Sequence, residues 1–285
     1  MLDILELFNE EFSTLKKRLV PVIVQVGVGG TGSNLSQQVA QMLRNYPNAS
    51  HYVLSDPDQV EEKNLNNQLF TKSNINKPKA EVLAKRYSSA YQIPVYSYTE
   101  SYIESANEVT KLFNTGDFSN ITYDEVILPI LIGCVDNHFT RQIMHEFYKA
   151  NGTIIYIDSG NETALVPEDF PTRKMKDWTE NEKENYHSSG WTGQVVCGMK
   201  IRGKQYLEPV AEVYPDILEE KDSIAPSTLS CEELSSSDPQ RLLTNRMASM
   251  AMSSFLSEII ESGTISKRHT VFHASKGFMQ SELIH

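Results

Sequence analysis

The sequence predicts an α/β fold: a doubly wound, mostly parallel sheet with antiparallel edge strands. Three observations carry that prediction. Two apolar runs, Val22–Val26 and Val126–Val135, show no polar–apolar alternation, as strands covered on both faces require. Helix-like stretches separate the strand-like runs, the alternation that builds parallel sheets. The first run enters Gly27-Val28-Gly29-Gly30-Thr31-Gly32-Ser33 and then a helical segment, the tight glycine turn of a βα unit.

Apolar Leu2, Ile4, Leu5, Leu7, Phe8, Phe12 and Leu15 form a roughly helical stripe. The first 20 residues are therefore expected to be a helix, packed on the sheet or on a second subunit. Val22–Val26 is the first strand, with Gln25 as its polar exception. Ser33 to Leu43 forms the helix behind the glycine turn, and His51–Ser55 the second strand. Lys77-Pro78 opens the next helix, since proline suits a first turn, and Ala80, Val82, Leu83, Ala84 and Tyr87 are its apolar residues. Val95–Tyr98, Val126–Val135 and Thr153–Asp158 read as three further strands, with a helix from Asn137 to Ala150 between the last two. Residues 167–190 then turn polar and read as a crossover loop, expected to be mobile or to cover a ligand. Gln194–Ile201 and Gln205–Val210 read as antiparallel strands at the sheet edge, and residues 214–237 as loop. Asp238-Pro239 suits the start of a helix over 238–262, with Gly263 at its C-cap, and Thr270–His273 is the last strand. No repeat or linker divides residues 1–285, which read as one domain.

Composition excludes several function classes. The 37 acidic and 26 basic residues give a net charge of −11, which repels nucleic acid unless a basic run offsets it, and none is visible. No apolar run approaches the roughly 20 residues a membrane span needs, and the start lacks a signal peptide's basic region. The expected place is the cytoplasm, with no membrane and no nucleic acid partner. Cys134, Cys197 and Cys231 form no CxxC pair, so neither a zinc knuckle nor a disulfide framework is expected.

The glycine turn points to a nucleotide. Gly27 permits the tight turn, Gly29 keeps side chains off an approaching phosphate, and Gly32 lets the helix pack close to the strand. The helix N-terminus offers free N–H groups and partial positive charge. Asp56 follows Gly32 by 24 residues, about where an acid meets ribose hydroxyls. The plainer reading is a βα turn that holds no ligand. In parallel sheets, ligands bind beyond the carboxyl ends of the strands. Gly27, Asp56 and Asp136 all follow strands, and Lys79 begins a helix from the same edge, so one crevice should gather them. A lysine for phosphate, one acid for ribose and another for Mg2+ suit chemistry on ATP. A hydride-transfer enzyme using NAD(P) or FAD, the rival enzyme class, would not need Lys79 together with Asp136.

The motif order is specific. Gly27–Ser33, the Asp56–Phe70 segment with its DxDxVExxNLxxQ pattern, Asn76-Lys77-Pro78-Lys79-Ala80 and Cys134-Val135-Asp136-Asn137 together resemble the ThiF/MoeB family and the adenylation domains of ubiquitin-activating enzymes, over residues 20–165. The remainder, from Ser230-Cys231 through Asp238-Pro239-Gln240 and Asn245, is similar to ThiF-family proteins of bacterial PRTRC-type gene systems. The resemblance implies a Rossmann-like, ThiF-type fold and an adenylyltransferase that converts ATP to AMP and pyrophosphate. Its substrate would be the C-terminal carboxylate of a small ubiquitin-like or sulfur-carrier protein with a glycine-ending tail. It also implies a homodimer or a heterodimer with a ThiF-like subunit.

Carried over by position, Gly27, Gly29, Gly30 and Gly32 cradle phosphates, and Asp56, with Asp58 beside it, binds ribose. Asn64 and Gln68 line the nucleotide pocket, Lys79 neutralises phosphate, and Asp136 holds Mg2+. Each has a duller alternative. Asp56 and Asp58 suit a turn around Pro57, Asn64 a turn cap, Gln68 a bond to loop backbone, Lys79 a solvated first turn, and Asp136 a helix N-cap. Arg141 reads as a structural ion pair or surface residue, and Trp178 and Trp191 as anchors of the crossover loop. Cys231 matches the place where relatives form a thioester, although Glu232 and Glu233 would raise its thiol pKa; Cys134 and Cys197 read as structural.

Two departures matter. Asn67 stands where the family pattern NLxRQ has an arginine, and only Lys16, Lys17 and Arg18 lie where the family carries an RYxRQ segment. A non-catalytic ThiF-like partner or scaffold is therefore the second alternative.

Overall fold

A computed structural model of the chain describes residues 1–8, 17–45, 51–116, 122–170, 172–219, 225–228 and 239–284. The strands are β1 (Leu2–Asp3), β2 (Arg18–Val26), β3 (His51–Ser55), β4 (Tyr96–Tyr98), β5 (Glu125–Gly133), β6 (Ile154–Asn161), β7 (Thr192–Ile201), β8 (Lys204–Leu207), β9 (Thr264–Ile265), β10 (Lys267–His273) and β11 (Phe278–Leu283). The helices are α1 (Ile4–Phe8), α2 (Gly30–Leu43), α3 (Lys79–Tyr91), α4 (Ala106–Phe113), α5 (His138–Ala150), α6 (Glu180–Ser188), α7 (Val210–Val213), α8 (Asp216–Glu219) and α9 (Leu242–Ser257).

One large sheet runs β11-β10-β7-β6-β5-β2-β3-β4, with β8 paired to β7. Strands β6, β5, β2, β3 and β4 are parallel; β7, β10, β11 and β8 pair antiparallel. Helices cover both faces. On one, α2, α3 and α9 pack Leu35, Leu83 and Phe255 into a core with Ile23, Leu54 and Ile130. On the other, α4 and α5 pack Leu112, Met144 and Phe147 against Val24, Val53 and Leu131. Two-sided covering is why β2, β3 and β5 are apolar without alternation. The sheet is the doubly wound, mostly parallel one that the sequence predicts.

Strand β2 lies between β3 and β5, each parallel to it, with Val24 opposite Val53 on one side and Leu131 on the other. Chain connections leave β2 in one direction for β3 and later return to β5 on the other side. That reversal opens a crevice at the carboxyl ends of these strands.

Several expectations need correction. Among the described residues of the first 20, only Ile4–Phe8 is helical. Leu2–Asp3 instead pairs with Thr264–Ile265, and β2 begins at Arg18, four residues before the apolar run. The pair expected at the sheet edge is not there: β7 runs between β6 and β10, and the edge is β11, which the apolar pattern did not reveal. Residues 167–190 are not simply loop, since Glu180–Ser188 is helical behind a Thr179/Glu182 capping box. Residues 214–237 hold α8 at their start, and α7 just before them takes part of the Gln205–Val210 run, which is strand only over β8. Helix α4 was missed altogether. The C-terminal helix starts at Leu242 with Arg241 as N-cap; Asp238 lies outside the described residues, and Gly263 takes the left-handed C-cap (φ 64°) as expected. No helix among the described residues is long and apolar enough to cross a membrane.

Candidate functional site

The crevice at the ends of β2, β3, β5 and β6 is a cleft of about 1400 Å3, larger than the ~300–1000 Å3 of an ordinary small-ligand pocket. Its near end is lined by Gly27, Gly29, Gly30, Asp56, Asp58, Asn64, Asn67, Gln68, Lys79, Tyr102 and Asp136. Its far end is lined by Glu162, Phe170, Tyr186, Trp191, Gln194 and Arg241. The expected site residues thus meet at one cleft, apart from Gly32, which is packed beneath it, and Cys231, which lies outside the described residues.

The glycine turn is built by close approach. Gly27 has φ 89°, and a β-carbon there would lie 2.6 Å from the Cys134 carbonyl oxygen. At Gly32 a β-carbon would lie 2.1 Å from the Gly27 carbonyl oxygen. Gln25, the polar exception in β2, explains itself here. It is fully buried, its Nε2 donates to the carbonyls of Gly27 and Gly32 at 3.0 Å, and its Oε1 accepts from Tyr52 Oη at 2.6 Å. Gly29 differs: a β-carbon there would meet nothing nearer than Gln68 Nε2 at 3.9 Å, so this face of the turn is open. Gly29 is the N-cap of α2, with no side-chain cap and no acid in the first turn. The first free N–H groups therefore face a site that favours an anion.

Asp56 is buried, and both its oxygens already accept backbone bonds: Oδ2 from Val28 N at 2.8 Å and Oδ1 from Asp58 N at 3.0 Å. The acid at the end of β3 thereby fixes the glycine turn at the end of β2. Burial pushes its carboxyl up to about 6, against the pull of the Lys79 ammonium. A carboxylate has about four acceptor sites, so capacity for a hydroxyl donor remains.

Lys79 is not a solvated first-turn lysine. It is 6% exposed, and Nζ donates to Asp58 Oδ2 at 2.8 Å. Burial acts to lower the ammonium, but the charges of Asp56 and Asp58 outweigh it and raise it. Asp58 feels burial too, yet Lys79 and the Tyr102 hydroxyl hold its carboxyl below the usual range. Tyr102 carries no motif and was missed by the sequence reading.

Asn64 is a turn cap, whose Oδ1 accepts from Glu61 N at 2.8 Å in a reciprocal capping box. Gln68 has a buried Oε1 without a hydrogen-bond partner, beside the open face of Gly29. A buried acceptor of this kind calls for a hydrogen-bond donor, and the fold supplies none among the described residues.

At the end of β5, Asn137 rather than Asp136 caps α5, accepting from Thr140 N at 2.8 Å. This leaves Asp136 exposed, its carboxylate without an ion pair or hydrogen bond to any described residue. Arg141 is the structural ion pair expected as one alternative. Its Nε donates to Asp158 at 3.0 Å and its Nη2 to the carbonyls of Val135 (2.6 Å) and Ser159 (3.0 Å), which clamps the backbone on either side of the cleft floor.

At the far end, Arg241 lies 3.9 Å from the Trp191 ring centre and 4.4 Å from that of Tyr186, and donates to the carbonyls of Tyr186 and Ser189. Trp178 is buried, donates to the Arg173 carbonyl at 3.1 Å and packs edge-on against Phe170 and Tyr186, all within residues 167–190. Cys197 is fully buried and Cys134 half-buried, with burial pushing both thiols up, as structural cysteines. Lys16 lies outside the described residues, and Arg18 pairs with Glu125 at the end of β2 remote from the cleft.

Comparison with known proteins agrees with this architecture. The ThiF family model matches residues 5–196. No curated protein matches. Among solved structures, E. coli MccB with AMPCPP and MccA is similar over 92% of this chain and 63% of that one (TM-score 0.52, 16% identity). PaaA is similar over 92% and 64% (TM-score 0.53, 15% identity), and E. coli MccB with ATP over 94% and 64% (TM-score 0.51, 15% identity). This chain spans just under two thirds of the length of those relatives, and identity this low establishes the shared fold alone. With two thirds of its length under the family model and the strand order, glycine turn and acid-lined cleft in place, the chain belongs to the ThiF family.

Proposed function

We propose that the protein binds Mg-ATP in the near end of the cleft and adenylates the C-terminal carboxylate of a small polypeptide held in the far end. One observation carries the reading: a single cleft of about 1400 Å3 is lined by the open helix N-terminus at Gly29, Lys79 and the unpaired Asp136, and also by Glu162, Phe170, Tyr186, residues 191–194 and residues 239–243. MccB solved with AMPCPP and MccA supports a fold that accommodates nucleotide and second ligand together.

The carboxylate would attack the α-phosphate, forming a C–O–P bond as the bond to pyrophosphate breaks. Negative charge grows on the leaving phosphates. The free N–H groups of the first turn of α2 and the Lys79 ammonium stabilise that charge, and positioning supplies most of the rest. Asp56 keeps acceptor capacity for ribose hydroxyls, and Gln68 offers its unpaired Oε1 to the same ligand.

Among the described residues, no group of three His, Cys, Asp or Glu side chains is placed to hold a metal ion. A lone carboxylate such as Asp136 fits Mg2+, which takes one or two carboxylates and fills its shell with phosphate oxygens and water. Bound there, the ion would screen the triphosphate. A slim tail ending in glycine, from a ubiquitin-like or sulfur-carrier protein, suits the far end. Cys231, which lies outside the described residues, is the proposed acceptor in a thioester step that would follow adenylation.

One observation favours a second reading, a non-catalytic partner subunit. Asn67 lines the cleft in place of the family arginine. The lysines and arginines that line it are already engaged: Lys63 with Glu61 (3.3 Å), Lys79 with Asp58, Arg141 with Asp158, and Arg241 with two aromatic rings.

Equilibrium titration with Mg-ATP, NAD+ and NADPH tests the nucleotide half of the proposal. ATP is expected to bind in preference to both dinucleotides, and a preference for either dinucleotide removes the reading.

A further inference from the structure

Asp58 divides its two carboxylate oxygens between two partners. Oδ2 accepts from Lys79 Nζ at 2.8 Å, and Oδ1 accepts from the Tyr102 hydroxyl. Tyr102 belongs to the segment joining β4 to α4, and that segment is pinned. The neighbouring Ile103 is 2% exposed, and Glu104 accepts from Ser227 N at 2.8 Å and Ser227 Oγ at 2.9 Å. Tyr102 also lines the near end of the cleft. Resting on the ATP reading above, we infer that Tyr102 is a positioning residue for triphosphate binding, steadying the Asp58 carboxylate when Lys79 turns from it to the phosphates.

The physical case follows from the charges. Before nucleotide arrives, Asp58 and Lys79 neutralise one another in a pair whose lysine is buried and whose carboxylate is half-buried. A triphosphate draws the ammonium away and leaves a carboxylate beside further negative charge. Stranding a half-buried anion in this way is costly unless other donors remain on it. A hydroxyl donating to an ionised acceptor is a strong hydrogen bond, and the Tyr102 bond needs nothing from Lys79. With Tyr102 in place, Asp58 can release its ammonium partner. Without it, Asp58 depends on Lys79 more heavily, and the triphosphate must compete harder. Tyr102 touches neither the phosphates nor the substrate's carboxylate in this scheme and adds no charge.

Titration calorimetry with Mg-ATP and with adenosine tests the inference in the full chain. Tyr102→Phe is expected to weaken Mg-ATP about tenfold and leave adenosine affinity within about twofold, because adenosine does not call on Lys79. The melting temperature without nucleotide should move by no more than about 3 °C. In an Asp58→Asn background, where no anion is stranded, the same substitution should change Mg-ATP affinity by less than about twofold. Unchanged ATP affinity in Tyr102→Phe overturns the inference, as does an equal loss for adenosine, which marks a merely structural role. The adenosine comparison decides the matter even if Asp58→Asn does not fold. A wild-type chain that binds adenosine but gains nothing from the triphosphate also overturns it, and one that binds no adenine nucleotide removes the function proposed above.

Discussion

A β-carbon on Gly30 would lie 2.0 Å from Nδ2 of Asn245, so the C-terminal helix occupies the space that a side chain at this position of the glycine turn would need. Asn245 is fully buried, and its Oδ1 accepts from Asn161 Nδ2 at 3.0 Å and Thr31 Oγ1 at 3.4 Å. The end of β6, the start of α2 and the first turn of α9 are thus tied at one point in the cleft wall. Gly30→Ala is expected to cost about 1–3 kcal/mol, as overpacking does. Gly32→Ala should cost more, because backbone rather than a side chain blocks it. Gly29→Ala, on the open face, should leave the melting temperature within about 2 °C and weaken ATP binding. Thermal melts and ATP titrations of the three variants check the ranking.

Lys79 and Asp136 differ in how they are held, and their variants should differ accordingly. Asp136→Ala removes an exposed side chain without a described partner, so stability should change by less than about 0.5 kcal/mol while substrate-dependent pyrophosphate exchange falls by about 100-fold or more. Lys79→Ala should abolish exchange too. It also takes the ammonium from Asp58, which keeps the Tyr102 hydroxyl and is half-exposed, so denaturant unfolding should show a loss of no more than about 1 kcal/mol.

Cys231 enters only after adenylation in the proposed sequence. Cys231→Ala should spare pyrophosphate exchange and block any thioester, read as a hydroxylamine-labile adduct on a non-reducing gel. An adduct that survives Cys231→Ala refutes that division of labour.

Asp56 gives a pH signature with a definite sign. Its folded carboxyl titrates at about 6, above the usual value of 3.8 for an unfolded aspartate. Its favourable share of stability is therefore complete below about 4 and is lost as pH rises through about 6. Asp58 is shifted the other way and contributes no such loss in this window. Between pH 4 and 7, wild type should lose stability relative to Asp56→Asn, measured by denaturant midpoints. Parallel curves for the two proteins contradict the assignment.

The parallel half of the sheet was legible because double burial leaves its mark as unbroken apolar runs, as in β2, β3 and β5. The near end of the cleft was legible because glycine turns and acids after strands occupy short, local motifs. What escaped depends on contacts distant in sequence or on weak periodicity. Sheet order is not encoded locally, so β7 was placed at an edge when β10 and β11 lie outside it. Helix α6 buries no residue and has no apolar stripe, and only its Thr179-x-x-Glu182 box announces it. Helix α4 has the same signal in Ser105-x-x-Glu108, with Val109, Leu112 and Phe113 behind it, and was readable. Tyr102 and Asn161 reach the site through tertiary folding and have no motif to reveal them.

ATP–pyrophosphate exchange in the presence of small ubiquitin-like and sulfur-carrier proteins ending in Gly-Gly tests the central claim most directly. The expected result is exchange with a free C-terminal carboxylate and none when that terminus is amidated. Exchange that ignores amidation, or its absence with every such protein while Mg-ATP binds, contradicts adenylation by this chain.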